Sequence, residues 1–247
     1  MKWSDRLLST RTVEVAGVPV VELDGLLARR STAELHTLLR KILLDRGRVL
    51  VDADRLRISS TASLAVFPTV LARVGGWPEA RLVVVAAGGP VMEGMRATGR
   101  HREVAVAPDL AWGLRLLERR PLRVRRTTSL PRAPEGTTAL ARVLCQVACT
   151  DWEIPSHYAE RLEFVVNELV TNAVQHTQSE LELSLSLDGD GLRASVRDGR
   201  RDGVPAPGSG RYGMRIIAEL SDVWGVTTHA DGKTVWALLR ASFPEEV

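Results

Sequence analysis

The chain has 247 residues, of which 45% are hydrophobic and 26% are charged, and its formal net charge is +3. This composition predicts one or two globular domains with hydrophobic cores and excludes a low-complexity chain. The longest apolar runs are too short to cross a membrane and no secretory signal opens the chain, so we predict a cytoplasmic protein.

The first 118 residues predict a small α/β domain. Ser31 followed by Glu34 has the form of a capping box, which predicts that a helix opens there and runs toward Asp45. The other predicted elements, in chain order, are strands at 12–15 and 18–23 around a turn at Gly17, a strand at 48–53, a helix at 64–74, a strand at 81–87, and helices at 91–97 and 110–117.

Hydroxyl side chains lie between the third strand and the next helix. The strand ends in Asp52, and residues 58–64 read Ile-Ser-Ser-Thr-Ala-Ser-Leu. This segment resembles the STAS domain of anti-sigma-factor antagonists, whose loop carries a phosphoacceptor hydroxyl. Aligned on the leucine, Ala62 stands at the acceptor position, Ser63 at the glycine position and Ser60 at the loop aspartate.

Three interpretations of this loop stay open. The domain is a degenerate binding partner, because Ala62 has no hydroxyl to accept phosphate. Alternatively, a neighbouring hydroxyl of Ser60, Thr61 or Ser63 accepts it. In the third interpretation these residues only cap the helix that follows, as serine and threonine commonly do.

Residues 119–134 join two predicted domains, 1–118 and 119–247. The join contains three prolines and a basic tract from Arg119 to Arg126. A basic tract is one signature of nucleic-acid binding. No aromatic residues interleave here, however, and the tract lies at a domain junction, so we predict no direct contact with nucleic acid.

The second part predicts three helices over one face of a mixed, largely antiparallel sheet, an α/β sandwich. The first helix, 137–149, is amphipathic with Leu140, Val143, Leu144 and Val147 on one face. It also carries Cys145 and Cys149, which we interpret as small buried hydrophobic residues. The later predicted elements are a helix through 158–176, strands at 182–187 and 192–196, a helix at 214–220, and strands at 223–228 and 234–239.

The long helix of this part carries three polar residues on one face. Glu168, Asn172 and His176 are spaced i, i+4, i+8, which stacks them along the helix. Mg²⁺ takes oxygen ligands and keeps substrate phosphates, so a carboxylate and a carboxamide one turn apart suit a magnesium-dependent site. We interpret His176 as structural, because a histidine at a helix end often serves packing or capping.

Four blocks together resemble the ATP-binding domain of the GHKL superfamily, and most closely its anti-sigma-factor serine kinase group. Glu168-x-x-x-Asn172-Ala is similar to the N box, and Asp198-Gly199 to the start of the first glycine box. Gly210-Arg-Tyr-Gly213 is similar to the second glycine box, where a lid over ATP runs into a helix. Trp224-Gly225 and the later Gly232-Lys-Thr-Val-Trp resemble the closing strand pair.

The resemblance implies a role for each matched residue. Glu168 would be the catalytic general base and Asn172 the Mg²⁺ ligand. Asp198 would accept a hydrogen bond from adenine, with Gly199 allowing close approach and Thr234 supporting the base. The residues of the lid that would bind phosphate are Gly208, Gly210, Arg211 and Gly213.

The resemblance therefore implies ATP and Mg²⁺ as cofactors and a sigma factor or an antagonist protein as partner. Whether the chain is an enzyme stays open. One reading is a protein serine/threonine kinase that also sequesters a sigma factor, and the other is a non-catalytic nucleotide-binding regulator. A sensor histidine kinase fragment is disfavoured, because no dimerisation helix with a phosphoacceptor histidine precedes the N box. A homodimer is a further open alternative.

Overall fold

A computed structural model of the chain describes residues 8–131, 134–177, 179–199 and 212–240. The chain divides into two compact units, Met1–Val124 and Arg125–Val247, whereas the sequence predicts the division after residue 118. Each unit has a five-stranded sheet within the described residues. The helices formed by the described residues are too short or too polar to cross a membrane.

The first unit alternates strands and helices, which confirms the predicted α/β class. Its elements are β1 (Ser9–Val15), β2 (Val18–Leu27), α1 (Arg29–Arg46), β3 (Arg48–Ile58), a 3-10 turn (Thr61–Ala65), α2 (Val66–Arg73), β4 (Arg81–Val85), α3 (Gly89–Ala97), a 3-10 turn (Arg100–Arg102), β5 (Ala105–Ala107) and α4 (Leu110–Leu116).

The sheet of the first unit has the strand order β1-β2-β3-β4-β5. β1 runs antiparallel to β2, and the other neighbours are parallel. Val49 and Val51 of β3 belong to one hydrophobic cluster, while Leu50 between them belongs to another. Because successive side chains of a strand point to opposite faces, this sheet is buried on both faces.

Several predicted boundaries in this unit are wrong and β5 was not predicted, and two of the differences have a clear structural cause. α1 begins at Arg29 rather than at Ser31, because β2 continues to Leu27 and Ala28 is still extended. Ser31 is therefore the third residue of the helix, in its first turn, where its Oγ accepts a hydrogen bond from the Ala28 N–H at 3.0 Å. β3 continues to Ile58, because its pairing with β2 resumes after a register shift between Glu22 and Asp24.

The second unit has the predicted three helices among its described residues. Its elements are β6 (Val124–Leu130), α5 (Pro134–Asp151), α6 (Ser156–His176), β7 (Leu181–Asp188), β8 (Gly191–Asp198), α7 (Tyr212–Leu220), β9 (Val223–His229) and β10 (Gly232–Leu239). The strand order is β6-β7-β8-β10-β9, and the pairs β7/β8, β8/β10 and β10/β9 are antiparallel.

Alternation along the central strands defines an inner face of this sheet, against which α6 packs. In β8 the residues Leu192, Ala194, Val196 and Asp198 are buried, while the residues between them are more exposed apart from Gly191 at the strand's start. Asp198 therefore lies on the same face as the hydrophobic core. This placement puts a carboxylate in the apolar layer between sheet and helices.

The apolar face predicted for α5 is not its buried face. Leu140, Val143 and Val147 are 38%, 53% and 47% exposed. The buried face consists instead of small side chains, namely Ala141, Cys145, Ala148 and Cys149. α5 packs against α6, and small side chains in such a contact allow two helix axes to come close together. Burial of the two cysteines was predicted and is confirmed.

Candidate functional site

The helix that carries Glu168 and Asn172 is fixed by a continuous apolar stripe. The buried residues of α6 are Leu162, Val165, Val166, Leu169, Val170 and Ala173. Glu168 and Asn172 lie beside this stripe and are both half-buried. The Glu168 Oε1 atom accepts a hydrogen bond from Asn167 Nδ2 at 3.4 Å. The structure thus presents the predicted carboxylate and carboxamide one turn apart.

Asn172 points toward the start of α7. Its Nδ2 atom donates to the sulfur of Met214 at 3.7 Å, and Met214 is buried. Gly213, the residue before Met214, lies in the first turn of the same helix. The structure therefore brings the helix of the first sequence block next to the glycine of the third, although they are separated by about 40 positions in the chain.

Asp198 forms a buried ion pair that the sequence analysis missed. β8 and β10 are aligned so that Asp198 stands opposite Lys233. The Lys233 Nζ atom lies 3.5 Å from Asp198 Oδ2, and the two side chains are only 5% and 3% exposed. Lysine and aspartate are almost never fully buried unless they are paired. The sequence did contain a signal for this pair. Lys233 precedes Thr234, and the alternation of the predicted strand places Lys233 on the inner face of the sheet.

The backbone beside this pair requires glycine. Gly232 has a φ of +154°, and a Cβ atom there would overlap the backbone carbonyl oxygen of Asp198. β8 and β10 thus approach each other more closely at this end than a side chain would allow. The ion pair is therefore held by a backbone geometry specific to the strand ends.

Gly199 is tied to the end of α6 by two hydroxyl groups. Its N–H donates to Ser179 Oγ at 2.8 Å, and Ser179 Oγ is hydrogen-bonded to Thr177 Oγ1 at 2.8 Å. Thr177 follows His176, the last residue of α6, and its N–H donates to the carbonyl of Ala173. The sequence analysis did not single out Ser179 or Thr177, because nothing local shows that they meet Gly199.

Thr234 lies on the other face of the sheet from Asp198. It stands opposite Arg197 in the register, and its Oγ1 is 2.9 Å from His229 Nε2. Adjacent residues of a strand point to opposite faces. The structure therefore places Lys233, and not Thr234, on the same face as Asp198.

Three predicted phosphate-binding residues lie outside the described residues. They are Gly208, Gly210 and Arg211, and the described chain ends at Gly199 and resumes at Tyr212. The two flanking points are defined, with Gly199 bound to Ser179 and α7 packed on α6. Of the described residues on either side, Gly199 directly follows Asp198, and Met214 of α7 contacts Asn172.

The protein side chains suit Mg²⁺ only if a ligand supplies most of its coordination. Among the described residues, no three histidine, cysteine or acidic side chains cluster in a way that could hold a metal. Asn172 offers one carboxamide oxygen. Mg²⁺ is commonly held by one or two protein ligands together with substrate phosphates and water. The donor set therefore fits a metal that arrives with a nucleotide.

The hydroxyl-rich loop of the first unit has a local structural role. Ser60 is the N-cap of the 3-10 turn, and its Oγ accepts a hydrogen bond from the Ala62 N–H at 3.2 Å. Ser59, Ser60, Thr61 and Ala62 are exposed. The predicted capping role is thus present at Ser60, and the methyl group of Ala62 is exposed.

Two solved structures of anti-sigma factor antagonists are similar to part of this chain. One, from Mycobacterium paratuberculosis, has 19% identity and a TM-score of 0.42, and the match covers 48% of this chain and all of that chain. The other, SpoIIAA in its unphosphorylated form, has 13% identity and a TM-score of 0.32, with 40% and 88% covered. None of the curated proteins matches the chain significantly.

The family described as "Histidine kinase-like ATPase domain" matches residues 130–239. The matched segment spans β7 to β10 and the helices α5, α6 and α7. It contains Glu168 and Asn172 on α6, and the pair Asp198 and Lys233 at the ends of β8 and β10, two strands that α6 contacts. Residues 130–239 of this chain therefore form a histidine kinase-like ATPase domain.

Proposed function

We propose that the second unit binds ATP together with Mg²⁺. The observation that carries this proposal is the buried Asp198 carboxylate, which lies at the end of β8 on the face covered by α6. A carboxylate accepts hydrogen bonds, and the amino group of adenine donates them. Asn172 on α6 would be the protein ligand of Mg²⁺, which would also coordinate the phosphates.

The segment between Gly199 and α7 would cover the phosphates. Gly208, Gly210 and Arg211 would lie in it, and Gly213 would open α7. The N-terminus of a helix carries unpaired N–H groups and a positive dipole end, which favours phosphate. This proposal places the adenine base of ATP at the paired ends of β8 and β10, and its phosphates at the start of α7.

We further infer that the chain is a partner-switching regulator. Glu168 would act as general base for a serine or threonine hydroxyl of a partner, so that the protein would be a serine/threonine kinase of the anti-sigma type. The partner would be a sigma factor or an anti-sigma-factor antagonist. The half-buried Glu168 side chain, one turn from Asn172, supports this assignment.

A second function is a nucleotide-binding regulator without phosphotransfer. The exposed Ala62 favours it, because the first unit lacks a hydroxyl at the position where an antagonist accepts phosphate. In this reading residues 1–118 regulate the nucleotide domain without being phosphorylated. Ser60, whose Oγ already accepts the Ala62 N–H, serves as a cap.

Calorimetry on the full chain tests nucleotide binding. We expect the parent to bind ATP more tightly with Mg²⁺ than without, and Asn172→Ala to remove this metal dependence. Gln175→Ala is the matched control, because Gln175 carries the same kind of side-chain amide on the same helix and is exposed. Absence of ATP binding by the folded parent would refute the proposal.

Incubation with labelled ATP and candidate partner proteins separates the two functions. If the chain is a kinase, Glu168→Gln should keep ATP binding and lose phosphotransfer by about 10²–10⁴-fold, the usual scale for a general base. Glu160→Gln, an exposed change on the same helix, is the control. Stoichiometric phosphate on Ser59, Ser60, Thr61 or Ser63 would refute the degenerate reading of the first unit.

A further inference from the structure

The buried pair of Asp198 and Lys233 is not explained by stability. Its charged atoms are 3.5 Å apart, and the side chains are 3% and 5% exposed. Moving two charges out of water costs about as much as their attraction returns, so a buried ion pair stabilises a fold little compared with two apolar residues. The neighbouring inner residues of the same strands, Val196 and Val235, show the apolar alternative at the next register position.

The pair offers an acceptor and a donor side by side. The carboxylate of Asp198 only accepts hydrogen bonds, whereas the ammonium of Lys233 only donates and has three N–H groups. Lys233 can therefore hold Asp198 and a second acceptor at the same time. Both groups lie on the inner face of the sheet, at the strand ends where the chain enters residues 200–211.

Adenine carries the complementary pattern. Its exocyclic amino group donates, and a ring nitrogen next to that group accepts on either side. We propose that Lys233 contacts the base of the bound nucleotide: Asp198 accepts a hydrogen bond from the amino group, and Lys233 donates one to the adjacent ring nitrogen. This inference rests on the proposed binding of ATP and adds to it a residue that determines the strength of base recognition.

The contrasting view is that Lys233 only neutralises Asp198. The two views differ in what they predict for bases that lack one ring nitrogen. If Lys233 contacts that nitrogen, then replacing either the lysine or the nitrogen removes the same hydrogen bond. If Lys233 only neutralises Asp198, replacing the lysine weakens all purine nucleotides by the same factor.

The test is a cycle of two proteins and three nucleotides, measured by calorimetry on the full chain with Mg²⁺. The proteins are the parent and Lys233→Met, and the nucleotides are ATP, 1-deaza-ATP and 7-deaza-ATP. We expect Lys233→Met to weaken ATP by about 10-fold or more, since a hydrogen bond to a charged group is lost. We expect the same change to weaken one of the two deaza analogues clearly less than it weakens ATP, because that analogue lacks the ring nitrogen that Lys233 contacts. Lys41→Met, an exposed lysine of α1, is the control.

Equal weakening of ATP and of both analogues by Lys233→Met would overturn the inference. So would a parent that binds both analogues as tightly as ATP, and this measurement needs no variant if Lys233→Met fails to fold. Tighter binding of GTP than of ATP by the parent would overturn the assignment to adenine. A folded parent that binds no ATP would instead refute the proposed function, so the two failures are distinguishable.

Discussion

The segment that follows β3 in the first unit and the last residue of β8 in the second unit both carry polar side chains, but these side chains find their partners in different ways. After β3, Ser60 is exposed and its hydroxyl accepts a hydrogen bond from the backbone two residues on. At the end of β8, the Asp198 carboxylate is buried and paired with Lys233 from another strand. The first arrangement is explained by local backbone requirements alone. The second involves residues distant in the chain and a cost of burial, which is why we place the functional site there.

The two sheets show the same contrast on a larger scale. The sheet of the first unit has hydrophobic clusters on both faces, as parallel strands require. The β8 strand of the second sheet alternates instead, with a charged residue at the end of its inner face. A polar group in an otherwise apolar layer is the more informative observation.

We expect the largest effect when one partner of the buried ion pair is replaced. Asp198→Asn leaves the Lys233 charge buried, and Lys233→Met leaves the Asp198 charge buried. Either change should lower the free energy of unfolding by about 3–5 kcal/mol, whereas the double variant should recover most of that loss. Urea unfolding measures all three.

The control for this experiment is Arg197→Met. Arg197 directly precedes Asp198 in the chain, and the change breaks its exposed ion pair with Asp231. It should leave the unfolding transition nearly unchanged, because exposed pairs are screened by water. A single variant of the buried pair that behaves like this control would show that the pair is solvated and would remove the contrast between Ser60 and Asp198.

The next largest effect is expected when a glycine is replaced by alanine, and one position in each unit can be compared. Gly17 and Gly232 both have a positive φ, but a Cβ would meet nothing within 4 Å at Gly17 and would overlap the Asp198 carbonyl at Gly232. Gly17→Ala should cost about 1–2 kcal/mol, the price of a left-handed backbone. Gly232→Ala should cost more and should also weaken ATP binding. Equal costs would show that the strand ends can move apart.

A smaller effect is expected from the cap in the first unit. Ser60→Ala removes the side chain that accepts the Ala62 N–H and should lower the free energy of unfolding by about 1 kcal/mol. Ser59→Ala is the control, because Ser59 contributes its backbone N–H to Leu27. ATP binding should be unchanged in both variants. A change in nucleotide affinity would contradict the assignment of this loop to a structural role.

The smallest expected effect is a pH dependence in the first unit. Burial lowers the pKa of His36 from its ordinary value, with further lowering by Arg73 and Arg40. The unfolded chain therefore binds a proton at a higher pH than the folded chain does. Stability should be full above about pH 6.5 and should fall as the pH drops through that value, until the folded histidine is protonated too. His36→Gln should flatten this part of the profile, and an identical profile in the variant would contradict the assignment.

Prediction from sequence succeeded where the signal was local and periodic. The apolar stripe of α6 fixed the helix and therefore placed Glu168 and Asn172 one turn apart, as the structure has them. Prediction failed where the packing of one helix against another determined which face is buried. On α5 the larger residues Leu140, Val143 and Val147 formed the more hydrophobic face, yet the small residues are buried, and small side chains allow two helices to come close together.

The sequence by itself determined the α/β class and the helix that carries Glu168 and Asn172. It also showed that a glycine directly follows Asp198. Each of these depends on residue types at short spacing. Only the tertiary structure decided that Lys233 faces Asp198 while Thr234 faces away, and that Ser179 binds Gly199. These contacts depend on the register between strands and on where the end of α6 meets the sheet. The hydrogen bonds that set this register form between segments distant in the chain, so no local pattern of residues encodes it.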